Sequence, residues 1–282
     1  MRIAITGANG FIGGELVKHF LAKGDEVLLM QRTKPVQLAK ETTYLPYDLN
    51  EPDALILPDG IDAFIHAAYM PYTPTNNASS VNIKATLALY TYCIGKGIQF
   101  VFFSSMSAHA NALSEYGKHK FELEKQLDSS KCLILKLGLV IGKDGLFSRI
   151  YDSFSKMPFA ILVGGGEQPV QPIYIGDVVN VIDKCVTEKR TGIYTMAVNK
   201  VYTMHQLFSA IAAKAGKKPL FISVPYGLVE FGIGVIAALH LPFPVSKENL
   251  LGLKQLQAIN TSADIDKLGI SLLDLKESID LL

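Results

Sequence analysis

Across the first two-thirds of the chain, short continuous apolar runs alternate with longer segments in which apolar residues recur every three or four positions. Residues 2–6 (RIAIT), 26–30 (EVLLM), 62–67 (DAFIHA), 99–104 (QFVFFS), 132–137 (CLILKL) and 192–197 (GIYTMA) read as strands buried on both faces. Residues 11–23 carry Leu16, Val17, Phe20 and Leu21 on one stripe and read as a helix that stops at Gly24. Further helices are predicted over 80–96 and from 116 to about 127. Buried strands alternating with helices imply a parallel α/β sheet covered on both faces. Right-handed crossovers then make that sheet doubly wound.

The last third follows a different pattern. Residues 219–245 are apolar almost throughout, with Glu230 the only charge. A bilayer span needs about 20 predominantly apolar residues. Glu230, the prolines and the glycines of this stretch argue against one. The expectation is a buried lobe or a dimer surface, ahead of contact with a membrane surface. Residues 262–282 read as a short amphipathic closing helix and a tail.

Composition narrows the function. The chain has 282 residues, 49% of them hydrophobic, enough for one large domain or a domain with a smaller lobe. A net charge of +1 gives no footprint for nucleic acid. Cys93, Cys132 and Cys185 are isolated and odd in number, so free thiols are expected rather than disulfides or a metal site. Met1-Arg2 leads into a short apolar run that ends in a glycine turn, not a signal-peptide pattern, and a reduced cytoplasmic enzyme is expected.

The first strand is followed by Thr6-Gly7-Ala8-Asn9-Gly10-Phe11-Ile12-Gly13. A turn that brings backbone N–H groups against a pyrophosphate has no room for side chains at Gly7 or Gly10. Gly13 lets the helix pack closely on the strand, and the helix N-terminus favours an anion. Strand, glycine triplet and helix occur in the order that dinucleotide binding requires. NAD(H) specificity places an acid at the end of the second strand, but Gln31 and Arg32 stand there. A guanidinium suits a 2′-phosphate, so NADP(H) is favoured over NAD(H). A solvated surface cation is the alternative reading of Arg32.

Tyr116 and Lys120 lie four positions apart at the start of a predicted helix, hence on one face. A free tyrosine, with a pKa of about 10, is a poor acid–base group near neutrality. A neighbouring ammonium favours the phenolate, and a tuned phenol can exchange a proton with a substrate oxygen. Upstream, a strand ends in Ser104-Ser105, and a hydroxyl there can polarise a carbonyl.

Together these residues resemble the short-chain dehydrogenase/reductase superfamily, in its extended or atypical epimerase/dehydratase-like branch. The likeness covers nearly the whole chain. It implies an NAD(P)-binding Rossmann domain over 1–200, with an insertion near 143–171, and a smaller C-terminal substrate lobe over 201–282. It implies a catalytic set of Ser105, Tyr116 and Lys120. The cofactor would be lined by Gly7, Asn9, Gly10, Phe11, Ile12, Gly13, Arg32, Asp48, Leu49, His66, Ala67, Ala68, Asn82 and Ser104, along with Tyr116 and Lys120. Glu124, PIYIGDVV with Asp177, and Lys267-Leu268-Gly269 match further family positions. The residues also admit plainer readings: Asp48 as a turn residue, His66 as a packed core histidine with only its backbone near the cofactor, and Asn82 as a helix cap.

Three departures bear on the substrate. Met106 and Ser107 stand where the family's dehydratases carry an acidic pair. Leu139 replaces an asparagine of the nucleotide-sugar epimerases, and Val170-Gln171 replaces an arginine. The leading expectation is an NADP(H)-dependent oxidoreductase acting on a small-molecule carbonyl/alcohol pair. A nucleotide-sugar epimerase or reductase is the second reading. The third is a non-catalytic cofactor-binding regulator or assembly factor. The resemblance also implies a homodimer packed through the helices at 80–96 and 117–129.

Overall fold

The computed structural model describes residues 1–73, 76–238 and 247–282. They form two compact units, each assembled from separated stretches of chain.

The first unit comprises Met1–Ser105, His119–Lys136 and Ile175–Tyr194. Its strands are β1 (Arg2–Thr6), β2 (Glu26–Gln31), β3 (Thr42–Pro46), β4 (Ala63–His66), β5 (Gln99–Ser105), β6 (Leu133–Leu137) and β11 (Gly192–Met196). They make one seven-stranded sheet in the order β11-β6-β5-β4-β1-β2-β3. The pairings β1–β2, β1–β4, β2–β3 and β4–β5 are parallel. Six strands occupy the apolar runs of the sequence. β3 does not, because TTYLP is only half-buried and has no apolar run to mark it.

The helices are α1 (Phe11–Ala22), α2 (Ala78–Gly95), α3 (Glu115–Gln126) and α5 (Ile175–Thr187). One core cluster joins Ala4, Leu28, Phe64, Leu89, Phe100 and Leu123. β2 lies on one side of β1 and β4 on the other. The winding reverses at β1, which opens a crevice at the carboxyl ends of β1 and β4.

The second unit comprises Met106–Lys118, Leu137–Tyr174 and Thr195–Leu282. It holds three strand pairs: β7 (Leu139–Ile141) with β10 (Pro172–Tyr174), β9 (Pro169–Val170) with β12 (Tyr202–Thr203), and β8 (Phe159–Val163) with β13 (Leu220–Val224). Around them lie α4 (Leu146–Lys156), α6 (Met204–Lys214), α7 (Tyr226–Ala238), α8 (Lys247–Lys254), α9 (Ser262–Leu268) and α10 (Leu275–Asp280). Phe147, Ile150, Phe154, Leu207, Ile211 and Ile279 form its core. α6 and α10 both open on capping boxes, Thr203 with Gln206 and Asp274 with Glu277.

Two expectations need correction. The apolar stretch from 219 is not a buried lobe over its described part. It forms β13 and α7, and Leu220, Leu228 and Phe231 are exposed. Residues 239–245 of that stretch lie outside the described residues. The segment 262–282 is two short helices, not one helix and a tail. α9 ends at Gly269, whose φ of +59° suits a residue without a side chain.

Candidate functional site

The glycine turn follows directly from β1. Gly7 takes φ +66° and donates its N–H to the Met30 carbonyl at 3.0 Å. A β-carbon on Gly7 would stand 2.8 Å from the Ala68 nitrogen, and one on Gly13 would stand 2.1 Å from the Gly7 carbonyl oxygen. The first glycine is needed for a left-handed bend and a close approach to the chain leaving β4. The third is needed for the packing of α1. α1 begins at Phe11 behind an extended Gly10, with no side-chain cap and no acid in its first turn. The positive end of the helix is therefore suited to an anion.

Gly7, Asn9, Gly10, Arg32, Asp48, Leu49, Ala67 and Ala68 line one cleft of about 340 Å³, a volume typical of ligand sites. Phe11, Ile12 and Gly13 form the first turn of α1 behind it. Met30, Gln31, Thr33, Tyr47, Tyr69, Met70 and Pro71 complete the wall. Of these seven only Gln31 stood out in the sequence, as the residue in place of an acid, because no motif marks a wall built from ordinary residues. The glycine cradle, the open helix end and the guanidinium fit a dinucleotide phosphate.

At the Asp48 end, the carboxylate accepts the Asn50 N–H at 2.9 Å and the Asn50 side-chain amide at 2.8 Å. The Asn50 backbone bond is the main reason its pKa lies below the usual value, and Arg32 contributes further. Asp48 is thus a turn residue that also faces the cleft. Tyr47, beside it, is buried, and its hydroxyl has no hydrogen-bond partner among the described residues. Burial pushes that phenol well above the ordinary tyrosine pKa, with Asp53 and Asp48 adding to the effect.

His66, Asn82 and Ser104 are not part of the cleft lining. The His66 ring is buried, with Nδ1 2.8 Å from Thr6 Oγ1 and Nε2 3.1 Å from Thr86 Oγ1. Burial drives its pKa down to about 3, helped by the Lys120 charge, so the ring is neutral. Its hydroxyl partner Thr6 accepts the Ala68 N–H at 3.2 Å, which ties the ring to the cleft backbone. Asn82 lies inside α2, which starts at Ala78, so it is not a cap. Its side chain accepts the Met70 N–H at 2.9 Å and donates to the Met70 carbonyl at 2.8 Å, pinning one edge of the cleft. The buried Ser104 hydroxyl donates to the Glu124 carboxylate, which pairs with Lys136 at 2.7 Å.

Ser105 is the last residue of β5 and is half-buried. Tyr116 and Lys120 lie one turn apart in α3. Tyr116 is partly exposed and Lys120 is buried. Lys120 Nζ donates to the Phe103 carbonyl at 2.7 Å. It stands 4.5 Å from the Phe102 ring centre and 5.1 Å from that of Tyr69. Burial lowers the Lys120 pKa to about 7, against the opposing charge of Glu124. An ammonium so placed is held by a carbonyl and aromatic faces while remaining close to neutrality.

Residues 3–199 match the profile of the NAD dependent epimerase/dehydratase family. Over 295 aligned residues the chain is 21% identical to an Arabidopsis thaliana protein, the mitochondrial NADH dehydrogenase (ubiquinone) 1 alpha subcomplex subunit 9, covering 96% of this chain and 72% of that one. Among solved structures it is similar to the human epimerase family protein SDR39U1 with NADPH, at TM-score 0.77 and 18% identity over 100% of this chain and 98% of that one. It is also similar to the UDP-glucose 4-epimerase of Thermotoga maritima with UDP-glucose, at TM-score 0.75 and 18% identity over 100% and 97%. At these identities, the two structures speak for the fold alone.

Proposed function

As the chain belongs to the NAD dependent epimerase/dehydratase family, we propose that it is an NADP(H)-dependent oxidoreductase of a carbonyl/alcohol pair, with Ser105, Tyr116 and Lys120 as its catalytic residues. The observation that carries this reading is the buried Lys120 ammonium, fixed on Phe103 one helical turn after Tyr116. In this reading the turn amides from Gly7 to Gly13 hold the pyrophosphate and Arg32 meets the 2′-phosphate. Asp48 and Leu49 lie against the adenine end, and Ala67 and Ala68 form the floor. A nicotinamide bound there would supply or accept the hydride. Tyr116 gives its phenolic proton to the substrate oxygen during reduction, and takes one during oxidation. Lys120 favours the phenolate and so brings its proton affinity toward neutrality. The Ser105 hydroxyl polarises the carbonyl.

A nucleotide-sugar epimerase is the second reading, favoured by the fold match to the UDP-glucose 4-epimerase. Against it, Gln171 stands at the position of an expected arginine and has its side-chain amide bonded to the Val198 and Ile259 carbonyls, at 3.0 and 2.8 Å. A non-catalytic cofactor-binding role is the contrasting outcome.

The test is turnover of NADPH with a panel of aldehydes and ketones. Tyr116→Phe should lose roughly 10²- to 10⁴-fold in rate with NADPH binding unchanged. Equal rates for wild type and variant overturn the proposal. Turnover of a nucleotide sugar without net NADPH consumption selects the epimerase reading.

A further inference from the structure

The ribbon of β8 and β13 inverts the usual polarity of a half-solvated sheet. The two strands run parallel, with Phe159 opposite Leu220 and Ile161 opposite Ile222. Ala160 and Leu162 are buried, and Ala160 and Phe221 pack in the core of the second unit. Phe159, Ile161, Leu220 and Ile222 occupy the other face, and all four are exposed, Ile161 at 53% and Leu220 at 68%. A sheet with one face in water normally alternates apolar-in with polar-out, and parallel pairs normally have both faces covered. Here the outward face is apolar on both strands and open. α7 follows directly in the chain and also exposes Leu228 and Phe231, at 64% and 72%. Isolated exposed apolar residues are ordinary, but the four paired strand residues are neighbours, and a contiguous group of this kind marks a contact site.

A cationic cluster sits at one end of the ribbon. Lys156, Lys217 and Lys218 line a concavity of about 370 Å³ with Met157 and Pro219. These residues lie just ahead of the two strands, whose starts are tied by the Leu220 N–H donating to the Pro158 carbonyl at 2.9 Å. None of the three lysines makes an ion pair among the described residues. The acid on α7, Glu230, is 3.7 Å from Lys254.

We propose that this face docks on an anionic membrane surface. Phe159, Ile161, Leu220 and Ile222 enter the boundary between headgroups and acyl chains, while the lysine cluster meets lipid phosphates. The outward strand positions offer no side-chain hydrogen-bonding group. A protein interface carries about one hydrogen bond per 100–200 Å², whereas hydrocarbon requires none. The lysine stems can lie along the apolar surface while their ammonium groups reach the headgroup layer. No helix among the described residues is long and apolar enough to cross a bilayer, so the contact is with one leaflet.

Vesicle flotation tests this with the full chain, phosphatidylcholine vesicles and vesicles that also contain phosphatidylserine. Wild type should float with the anionic vesicles, and Ile161→Asp with Leu220→Asp should stay at the bottom. Changing Lys156, Lys217 and Lys218 to Gln together should weaken binding to the anionic vesicles by roughly two orders of magnitude. Because every altered position is exposed, melting curves should remain those of wild type. Failure of wild type to float with either vesicle overturns the proposal, as does flotation that neither variant reduces. A dimer that Ile161→Asp with Leu220→Asp dissociates, in a protein that binds no vesicles, also overturns it and gives the face to a second copy of the chain.

Discussion

Lys120 Nζ donates a 2.7 Å hydrogen bond to the carbonyl oxygen of Phe103, so the backbone of β5 fixes the ammonium that follows Tyr116 in α3. Burial sets the proton affinity of this group. Glu124 raises it, and the neutral His66 ring and Tyr69 are further titratable neighbours. With a folded pKa of about 7 against an ordinary 10.5, the folded protein binds fewer protons than the unfolded chain between those values. Stability therefore rises with pH across that window, and the burial cost is fully present below it. Between pH 6 and 10 the melting temperature of wild type should rise relative to that of Lys120→Met once pH exceeds 7. Parallel curves would show that Lys120 is not a buried ammonium.

The glycine turn gives a graded prediction. A β-carbon at position 13 meets the Gly7 carbonyl oxygen at 2.1 Å, while one at position 10 meets the same atom at 3.1 Å. Gly13→Ala must push α1 away from the turn, an overpacking cost of about 1–3 kcal/mol. It should also weaken NADPH binding by at least roughly tenfold, since ~1.4 kcal/mol of lost phosphate contact corresponds to that factor. Gly10→Ala should cost less stability. Urea denaturation and NADPH fluorescence titration measure the two effects, and the reverse order would refute this account of the turn.

Under the proposed function, Arg32 is the residue that selects NADPH over NADH. It is exposed on the cleft wall after β2, where an NAD-specific site would hold an acid. Hydrogen bonds to charged groups contribute about 1.5–3 kcal/mol. Arg32→Ala should therefore weaken NADPH binding by roughly 10- to 100-fold and leave NADH binding unchanged. Equal losses for both cofactors would place Arg32 outside any 2′-phosphate site.

What the sequence disclosed follows from which physical demands leave a mark in residue type. Strands covered on both faces must be apolar throughout, so β1, β2, β4 and β5 were legible, while the half-buried edge strand β3 was not. A backbone that tolerates no side chain requires glycine, so Gly7 and Gly13 were legible as well. Hydrogen-bond direction leaves no such mark. Nothing in the letters separates a His66 aimed at Thr6 and Thr86 from one aimed into the cleft. The acceptor of Lys120 is a backbone carbonyl, which any residue at position 103 would supply. The second unit was the least legible, because it draws 106–118 and 137–174 together with the C-terminal third. Its outward-facing strand positions are apolar, so its pattern resembles that of a buried one.

Gln171 shows how that second unit is held. It is buried, donates to the Val198 carbonyl at 3.0 Å and the Ile259 carbonyl at 2.8 Å, and accepts the Ile259 N–H at 2.7 Å. One side chain thus joins the segment beside β10 to two stretches distant in sequence. Gln171→Leu preserves most of the volume but leaves the buried Val198 carbonyl and the part-buried Ile259 N–H and carbonyl without these bonds. Each unsatisfied group costs about 1–3 kcal/mol, so the loss should be at least ~3 kcal/mol in urea denaturation. Gln171→Glu keeps the acceptor for Ile259 but loses the donor and should also be destabilised. If Gln171→Leu costs less than ~1 kcal/mol, a typical single hydrogen bond, the clamp is not structural. The position would then be open to a substrate-binding role, which would strengthen the nucleotide-sugar reading.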